Sequence, residues 1–351
     1  MLIDAVRLGD YVRDVFIREG CAEDEADRIG RSLVGANLTG HDSHGVIRVP
    51  RYVGLLKDGG VHAGRTPELV TDGGAFALLD AHFGFGQTAG PVAVAEGIAR
   101  ARQHGVAVVA LRHSGHLGRI GEWAERVAQA GLVSIHFVNV AGSLLVAPFG
   151  AVDRRFSTAP FAAAVPVPNG PPLVLDFATS LVAEGKVLVA SKGGKSLPEG
   201  SLIEPDGTLS RSPDTLYSGR GAIRAFGEHK GSGLAFMCEL LAGALTGSGC
   251  AGPPPKPFCN GMLSITISPD IGGSAEGFAA EVRSYLDFYA SARPAEPGGT
   301  VLAPGDLERA TRTRRLAEGV PLTDEVWESL LATGRPHGID GETYRHGDST
   351  A

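Results

Sequence analysis

The chain has 351 residues, and its 32 Lys and Arg against 39 Asp and Glu give a formal net charge of −7 at pH 7. Hydrophobic residues make up 43% and charged residues 20% of the sequence, a balance that excludes wholesale disorder. The acidic charge argues against a nucleic-acid partner, because binding phosphates needs a basic surface. No apolar run approaches the ~20 residues of a membrane span, and the first residues lack the pattern of a signal peptide.

The four cysteines, Cys21, Cys238, Cys250 and Cys259, form no CxxC pair. In a chain of this size that pattern is typical of reduced thiols, so we expect a cytoplasmic protein. The 50 glycines follow no regular period, and we expect them to serve turns, helix ends and close backbone approach.

The N-terminal part has the apolar spacing of helices. Leu8, Val12 and Phe16 recur at helical intervals before Gly20. The same spacing predicts a second helix that ends at Thr39-Gly40, and a third over residues 46–56. In the middle of the chain, short apolar runs predict strands at 76–79, 106–111, 132–138, 173–175 and 262–267, with helices at 91–104 and 120–130.

Two later segments differ from these elements. Residues 233–245 predict an apolar helix that is buried on most sides, with Met237 and Cys238 in the core. Residues 191–222, which include Lys192-Gly193-Gly194-Lys195, are rich in Gly, Ser, Pro and charge and predict a mobile loop or flap.

The C-terminal part predicts helices again, over 307–316 and after Thr323, a capping residue. This order of helices, mixed strands and helices, and helices favours an α+β fold. We expect a helical domain built from both ends, residues 1–72 and 290–345, and a central α+β domain, residues 73–289.

Residues 40–48 (GHDSHGVIR) concentrate polar side chains suited to chemistry. His44 and Arg48 are four residues apart at a predicted helix start, so they share one face, and a helix N-terminus favours anions. A histidine that donates a proton beside an arginine that binds a carboxylate suits a 2-oxo or 2-hydroxy acid. Alternatively, Asp42 or Ser43 only caps the helix and Arg48 is a surface residue.

Two further segments have the composition of ligand-binding loops. Residues 112–121 (RHSGHLGRIG) lie between a predicted strand and helix, where ligands bind in α/β units. Residues 226–233 (FGEHKGSG) open a hydrophobic helix with a lysine and free backbone amides, which suits a pyrophosphate. Each segment by itself is equally compatible with a turn or a helix cap.

Histidine pairs and one carboxylate leave other functions open. His41 with His44 and His113 with His116 form two HxxH pairs that could bind zinc, completed by Asp42 or Asp176, although no HExxH motif or cysteine pair accompanies them. Asp176 follows a predicted strand directly, where a carboxylate can orient a serine or histidine, or simply cap a turn.

Together these segments resemble the malate/L-lactate dehydrogenase family, which lacks a Rossmann fold and includes ureidoglycolate, sulfolactate and hydroxycarboxylate dehydrogenases and piperideine-2-carboxylate reductase. The matching stretches, in the same order and spacing, are 40–48, 113–121, 147–150 (APFG), 176–180 (DFATS) and 229–239. The resemblance covers roughly residues 5–335. Where the family usually has Gly-Thr-Asn-Pro, this chain has Ser157-Thr158-Ala159-Pro160, which removes a polar group near the cofactor.

The resemblance implies a role for each matching residue. His44 would be the proton donor with Ser43 and Asp176 as its relay, Arg48 would bind the substrate carboxylate, and His116 would be a catalytic base or a cofactor contact. The family implies NAD or NADP as cofactor, a helical domain beside an unusual α+β cofactor domain, and a homodimer. Its cofactor would contact His116, Leu117, Gly118, Arg119, Ile120, Thr158, Pro168, Asn169, Gly170, His229, Lys230 and Gly305.

The leading hypothesis is therefore an NAD(P)-dependent oxidoreductase that interconverts a small 2-hydroxy acid and its 2-oxo acid. One alternative is an NAD(P)H-dependent reductase of cyclic imines such as piperideine- or pyrroline-2-carboxylate. Alternatives of other classes are a metal-dependent hydrolase or lyase that uses the HxxH pairs, and a non-catalytic 2-oxo-acid-binding protein. The sequence does not choose the substrate, the cofactor, or which of His44 and His116 donates the proton.

Overall fold

The structure is a computed structural model that describes residues 1–191, 196–217 and 219–345. The stretch Lys192-Gly193-Gly194-Lys195 of the predicted loop lies outside the described residues. The helices are α1 (Ala5–Arg18), α2 (Glu23–Leu38), α3 (Val49–Lys57), α4 (Gly86–His104), α5 (Ile120–Gln129), α6 (Glu184–Ser191), α7 (Asp214–Tyr217), α8 (His229–Cys238), α9 (Ala275–Ala290), α10 (Asp306–Glu318), α11 (Asp324–Gly334) and α12 (Glu342–Arg345).

Strands fill much of the middle of the chain. They are β1 (Leu2–Ile3), β2 (Glu68–Asp72), β3 (Phe76–Asp80), β4 (Val106–Ser114), β5 (Val133–Ala141), β6 (Val146–Ala147), β7 (Phe161–Val165), β8 (Leu173–Phe177), β9 (Leu202–Ile203), β10 (Leu209–Ser210), β11 (Ala222–Arg224), β12 (Cys259–Ile267) and β13 (Val320–Pro321). Across the described ranges, no helix is both long and apolar enough to cross a membrane.

One hydrophobic core joins the two ends of the chain. The predicted apolar face of α1 is buried there, including Phe16, against side chains of α2, α3 and α11 such as Trp327. The Tyr11 hydroxyl of α1 donates to the Leu330 carbonyl oxygen of α11 at 2.6 Å. Thr323 caps α11 as predicted, because its side chain accepts the backbone N–H of Val326. Local capping and periodicity thus form helices whose apolar faces meet across the whole length of the chain.

The central sheet has the strand order β2-β3-β4-β12-β5-β7-β8. Strands β3 and β4 run parallel, and the other neighbouring pairs in this sheet run antiparallel. Helices α4 and α5 pack on it around the buried Trp123. This mixed sheet differs from the parallel sheet of doubly wound folds, and the predicted α+β class is confirmed.

The prediction that residues 191–222 form only a loop is wrong. Strands β9 and β10 lie in this segment and β11 begins at its last residue; together with β6 they form a four-stranded sheet in the order β10-β9-β11-β6. Leu202 and Ile223 are fully buried in its core. These strands are only two or three residues long and are separated by Gly, Ser and Pro. Turn residues therefore dominate the composition of residues 191–222 and obscure the strands.

The expectation that residues 233–245 are buried on most sides is also wrong. After α8 the chain continues as a π-helical turn, Glu239–Ala244, and Cys238 is fully buried as predicted. Met237, predicted to be core, is 45% exposed, and Phe236, Leu240 and Leu245 are also exposed. Within this chain the helix packs through one face, which includes Ala235, Cys238 and Ala242.

Candidate active site

A cavity of about 1100 Å³ opens between the helices of the two chain ends and the central sheet. This volume is at the upper end of the roughly 300–1000 Å³ typical of ligand pockets. The sequence-predicted site residues that line it are Ser43, His44, Arg48, His116, Gly118, Ile120, Thr158 and Asp176.

The sequence predicted that His44 and Arg48 lie together at one helix start. In the structure they instead reach the cavity from two short turns. Each residue ends a separate 3-10 turn, and α3 begins after the second turn. The separation arises at Gly45, whose extended backbone interrupts the helical path. The Arg48 Nε donates to the Ser43 carbonyl oxygen at 2.6 Å, which folds the guanidinium back toward the first turn.

The imidazoles of His44 and His116 stack on each other, with ring centroids 5.4 Å apart and planes 18° apart. Burial, assisted by the positive field of Arg48, lowers the pKa of His44 to about 3. Burial, together with the neighbouring His44 and Arg48, also lowers the pKa of His116 well below its usual value. The His44 Nδ1 is buried without a hydrogen-bond partner within the described chain. Both rings are therefore neutral at pH 7.

A tyrosine that the sequence analysis did not single out orients His116. The Tyr52 hydroxyl lies 2.6 Å from the His116 Nδ1 and accepts a hydrogen bond from the Gln87 side-chain amide at 3.3 Å. Burial raises the pKa of Tyr52 to about 12, so the phenol keeps its proton. The Tyr52 hydroxyl therefore donates this proton in a hydrogen bond to the His116 Nδ1, which accepts it. The neutral His116 ring therefore carries its own proton on Nε2.

Asp176 lies inside β8 and not directly after the strand, since β8 continues to Phe177. Its Oδ2 accepts the backbone N–H of Gly121 at 2.9 Å and lies 3.6 Å from the Arg119 Nε. Burial raises the pKa of Asp176, and the nearby Arg119 guanidinium opposes that shift.

The relay that the resemblance implied has no direct link in the ligand-free chain. Across residues 1–191, 196–217 and 219–345, no hydrogen bond connects the His44 ring to the side chain of Ser43 or of Asp176. All three side chains nonetheless line the same cavity. The relay stays a prediction.

Glu184, which no sequence motif marks as a site residue, contacts the guanidinium of Arg48, the predicted carboxylate-binding group. Its Oε2 lies 3.2 Å from the Arg48 Nη2, and its Oε1 accepts a hydrogen bond from the Tyr217 hydroxyl at 2.9 Å. Helix α6 can bring Glu184 this close because its second residue is glycine. A Cβ on Gly185 would lie 2.5 Å from the Ser43 Cβ.

Of the twelve predicted cofactor residues, four line the cavity, three are buried without lining it, and five lie on the surface. Leu117 and Arg119 are buried behind the cavity wall, between the lining residues of the same loop. The Leu117 backbone N–H donates to the Asn260 Oδ1 at 2.8 Å, and Asn260 sits at a bulge of β12. Gly305 is buried against β8, directly before α10, whose Leu307 and Glu308 line the cavity.

The remaining predicted cofactor residues lie on the surface and outside the cavity lining. They are Pro168, Asn169, Gly170, His229 and Lys230. His229 and Lys230 begin α8, and Phe226 of the same predicted segment does line the cavity. Ala159, at the position where the family usually has asparagine, is fully buried with a φ of +33° and offers no polar group there.

The two HxxH pairs do not form metal sites in the structure. His113 points away from His116 and lies 3.1 Å from the Asp80 Oδ2, while its ring stacks on Phe83. The His41 Nε2 lies 3.3 Å from the Glu308 Oε1 and is not directed to the same point as His44. No group of three His, Cys, Asp or Glu residues in the described ranges could hold a metal ion.

Comparisons with known proteins find relatives over nearly the whole chain. The family model for malate/L-lactate dehydrogenase matches residues 3–331. Hydroxycarboxylate dehydrogenase B of Escherichia coli K12 is 39% identical over 97% of this chain and 96% of its own. A Δ1-pyrroline-2-carboxylate/Δ1-piperideine-2-carboxylate reductase of Pseudomonas putida is 36% identical over 92% and 94%.

A solved structure gives the same result for the fold. It is an Escherichia coli protein assigned to the malate/lactate dehydrogenases, which superposes with a TM-score of 0.92 at 39% identity over 98% of this chain and 97% of that one. The family prediction and the prediction of an oxidoreductase are thereby confirmed. The chain belongs to the malate/L-lactate dehydrogenase family and is an oxidoreductase of the dehydrogenase type.

Proposed function

We propose that this protein interconverts a small 2-hydroxy acid and its 2-oxo acid with NAD or NADP. The observation that carries the proposal is the shared placement of Arg48 and the His44–His116 stack on one large cavity. A guanidinium is suited to bind a carboxylate, and a buried neutral imidazole is suited to accept a proton from an adjacent hydroxyl.

The residues of the cavity fit a nicotinamide dinucleotide. The volume of about 1100 Å³ suffices for it, and the orphaned His44 Nδ1 calls for a polar ligand atom in the closed site. When bound, the nicotinamide supplies or accepts the hydride. Residues proposed to hold the dinucleotide are His116, Leu117, Gly118, Arg119, Ile120, Thr158, Pro168, Asn169, Gly170, His229, Lys230 and Gly305.

Arg48 keeps free donors for a substrate carboxylate. Its Nε is used by the Ser43 carbonyl oxygen and one Nη2 hydrogen by Glu184. Among the described residues the Nη1 hydrogens have no acceptor, so this end of the guanidinium is open to a substrate carboxylate.

Because the pKa of His44 is low, its ring is ready to act as a base when the hydroxy acid is oxidised. A neutral His44 is ready to accept the proton of a hydroxyl group as a hydroxy acid is oxidised. In the reductive direction it must carry a proton. A substrate carboxylate on Arg48 cancels part of the positive field that lowers the pKa of His44, so substrate binding itself favours the protonated donor.

Reduction of a cyclic imine carboxylate is the second candidate function. It is supported by the similarity to the reductase of Pseudomonas putida, and Arg48 would bind its carboxylate in the same way. A panel of 2-oxo acids and cyclic imine carboxylates, each assayed with NADH and with NADPH, separates the two functions. A strong preference for imines would overturn the leading proposal.

We also propose the wider organisation that the sequence suggested. The domain boundaries 1–72 with 290–345 and 73–289 are supported by the core that joins both chain ends. A homodimer is supported by exposed apolar side chains on α8 and α9, including Phe236, Tyr285 and Phe288. A cytoplasmic location is supported by four cysteines that are all free thiols.

Two substitutions test the assigned residues. His44→Ala should lower kcat by roughly 10²-fold or more, because general acid–base catalysis typically contributes ~10²–10⁴. Arg48→Ala should raise KM strongly for 2-oxo acids and much less for a neutral ketone. Arg31→Ala, an exposed arginine on α2, is the matched control. Unchanged turnover in His44→Ala removes His44 from the mechanism, and equal effects on acid and ketone reject the carboxylate role of Arg48.

A further inference from the structure

One face of α10 contacts the segment that carries the proposed proton donor. Glu308, Thr311 and Arg315 are spaced by three and four residues, so they project from the same side of the helix. The Glu308 Oε1 lies 3.3 Å from the His41 Nε2. Thr311 packs against Gly40, and a Cβ at Gly40 would lie 3.3 Å from the Thr311 methyl carbon. A helix near the C-terminus thus packs along the turn that precedes His44.

Arg315 makes the strongest of these contacts. Its Nη1 and Nη2 donate to the two carboxylate oxygens of Asp42, at 2.6 and 3.0 Å, and Nη1 also donates to the Asn37 carbonyl oxygen. The Arg315 side chain is 10% exposed, whereas that of Asp42 is 46% exposed. A two-point pair of this kind fixes both the position and the orientation of the carboxylate.

Asn37 holds the other side of the same turn. Its side-chain amide donates to Asp42 at 2.7 Å, and its Oδ1 accepts the backbone N–H of Val46 at 2.9 Å. Gly45 lies directly against the Asn37 side chain, and a Cβ at Gly45 would collide with it. The turn is therefore anchored two residues before His44 and two residues after it.

These anchors matter because His44 has few constraints of its own. Its Nδ1 has no hydrogen-bond partner in the described chain, and the ring is oriented by stacking on His116. The place of the ring in the cavity consequently depends on the backbone that carries it.

We propose that Arg315 is a positioning residue for the dehydrogenase reaction. Through Asp42 and Asn37 it holds the turn that places His44 against His116, without itself contacting the cavity. The inference rests on the proposed function, because it assumes that His44 transfers the proton. Displacement of a reacting group by about 1 Å can cost of order 10²-fold in rate.

Arg315→Lys tests the proposal, because lysine keeps the charge but cannot pair at two points. We expect kcat of the holoenzyme to fall at least tenfold, with the KM of the best 2-oxo acid and the cofactor Kd unchanged within about twofold. Arg314→Lys is the matched control, since this exposed neighbour lies 3.8 Å from Glu318 and should leave kcat unchanged. A wild-type kcat in Arg315→Lys overturns the proposal.

A double variant separates a positioning role of Arg315 from a general effect of Arg315 on stability. If Arg315 acts through His44, the double variant His44→Ala with Arg315→Lys should be no slower than His44→Ala alone. Multiplicative losses would instead overturn the proposal. If Arg315→Lys does not fold, as judged by its thermal midpoint, Asp42→Asn weakens the same pair and must show the same fall in kcat at unchanged KM.

The role of His44 and the role of Arg315 can be tested separately. Near-normal turnover in His44→Ala shows that the proposed function misassigns the proton donor. A large loss in His44→Ala together with normal turnover in Arg315→Lys shows that the present inference alone is wrong.

Discussion

The rings of His44 and His116 lie 5.4 Å apart and nearly parallel, so a proton on either ring raises the cost of a proton on the other. Burial is the largest cause of the low pKa of both residues. The positive charge of Arg48 further disfavours protonation of each ring. The pair therefore carries at most one positive charge at neutral pH. Among the described residues, His116 has a hydrogen-bond partner for its ring, Tyr52, whereas the His44 Nδ1 has none.

The pH dependence of the reaction should follow from the low pKa of His44. Oxidation needs the neutral ring, which predominates in the free enzyme at every pH well above about 3. On account of His44, kcat/KM for the hydroxy acid should therefore stay flat from pH 8 to about pH 5. Reduction needs the protonated ring, so the logarithm of kcat/KM for the 2-oxo acid should fall by about one for each unit that the pH rises from about 5 to 8.

Measurement of kcat/KM in both directions checks this expectation. The pH slope in the reductive direction should disappear in His44→Gln, whose residual activity no longer depends on that proton. An inflection near the ordinary histidine pKa of about 6.5 in the oxidative profile would contradict the assignment.

Tyr52→Phe should weaken catalysis through His116. The phenyl ring keeps the shape of the side chain, but it leaves the His116 Nδ1 without its partner and removes one of the two acceptors of the Gln87 amide, the other being the His116 carbonyl oxygen. We expect kcat to fall of order tenfold as the ring loses its orientation, and the free energy of unfolding to fall by about 1–3 kcal/mol. Tyr285→Phe, an exposed residue of α9, is the control. An unchanged kcat would show that Tyr52 does not orient the ring.

The sequence was sufficient for features that depend on nearby residues. The spacing of Leu8, Val12 and Phe16 predicted α1, and the side-chain chemistry of Thr323 predicted the start of α11. Both depend on interactions within one helical turn or on one apolar face. The residues His44 and Arg48 stood out because their chemistry is concentrated in nine residues.

The missing features depend on pairings between distant parts of the chain. Arg315 and Asp42 are 273 residues apart, and a lone arginine in an exposed-looking helix carries no local mark of its partner. The roles of Glu184 and Tyr52 likewise depend on the folded chain, which brings both residues to the cavity. In residues 191–222 the frequent turn residues obscured short strands, whose pairing is decided by neighbours such as β6.

Glu184→Gln should strengthen the binding of carboxylate substrates. Glutamine keeps an oxygen that can accept from Arg48 or Tyr217, but it removes a negative charge beside the guanidinium, where both side chains are less than a fifth exposed. Two unit charges at 4 Å and an effective dielectric constant of ~20 interact by about 4 kcal/mol, so even a small fraction of this changes KM several-fold.

We therefore expect KM for a 2-oxo monocarboxylate to fall several-fold in Glu184→Gln, with kcat and the KM of a neutral ketone little changed. Glu199→Gln removes an exposed carboxylate from a surface pair with Arg211 and serves as the control. A rise in KM would mean that the Glu184 charge is needed to hold Arg48 in place.

Stability should fall in mild acid because of a histidine remote from the cavity. His136 is fully buried in the central sheet, with its ring nitrogens 2.8 and 3.0 Å from the hydroxyls of Ser264 and Ser134. Burial lowers its pKa from 6.5 to about 4. As the pH falls through 6.5, the unfolded chain binds this proton and the folded chain does not, so the unfolded state gains stability.

The loss attributable to His136 begins near pH 6.5 and is complete below about pH 4, where it amounts to about 3 kcal/mol. Between these limits its contribution to the slope of the unfolding free energy is about 1.4 kcal/mol per pH unit. Chemical denaturation of His136→Gln from pH 7 to pH 5 should show a slope smaller by that amount. His104→Gln, at an exposed position, should retain the wild-type slope, and equal slopes in all three proteins would contradict a neutral His136 in the folded sheet.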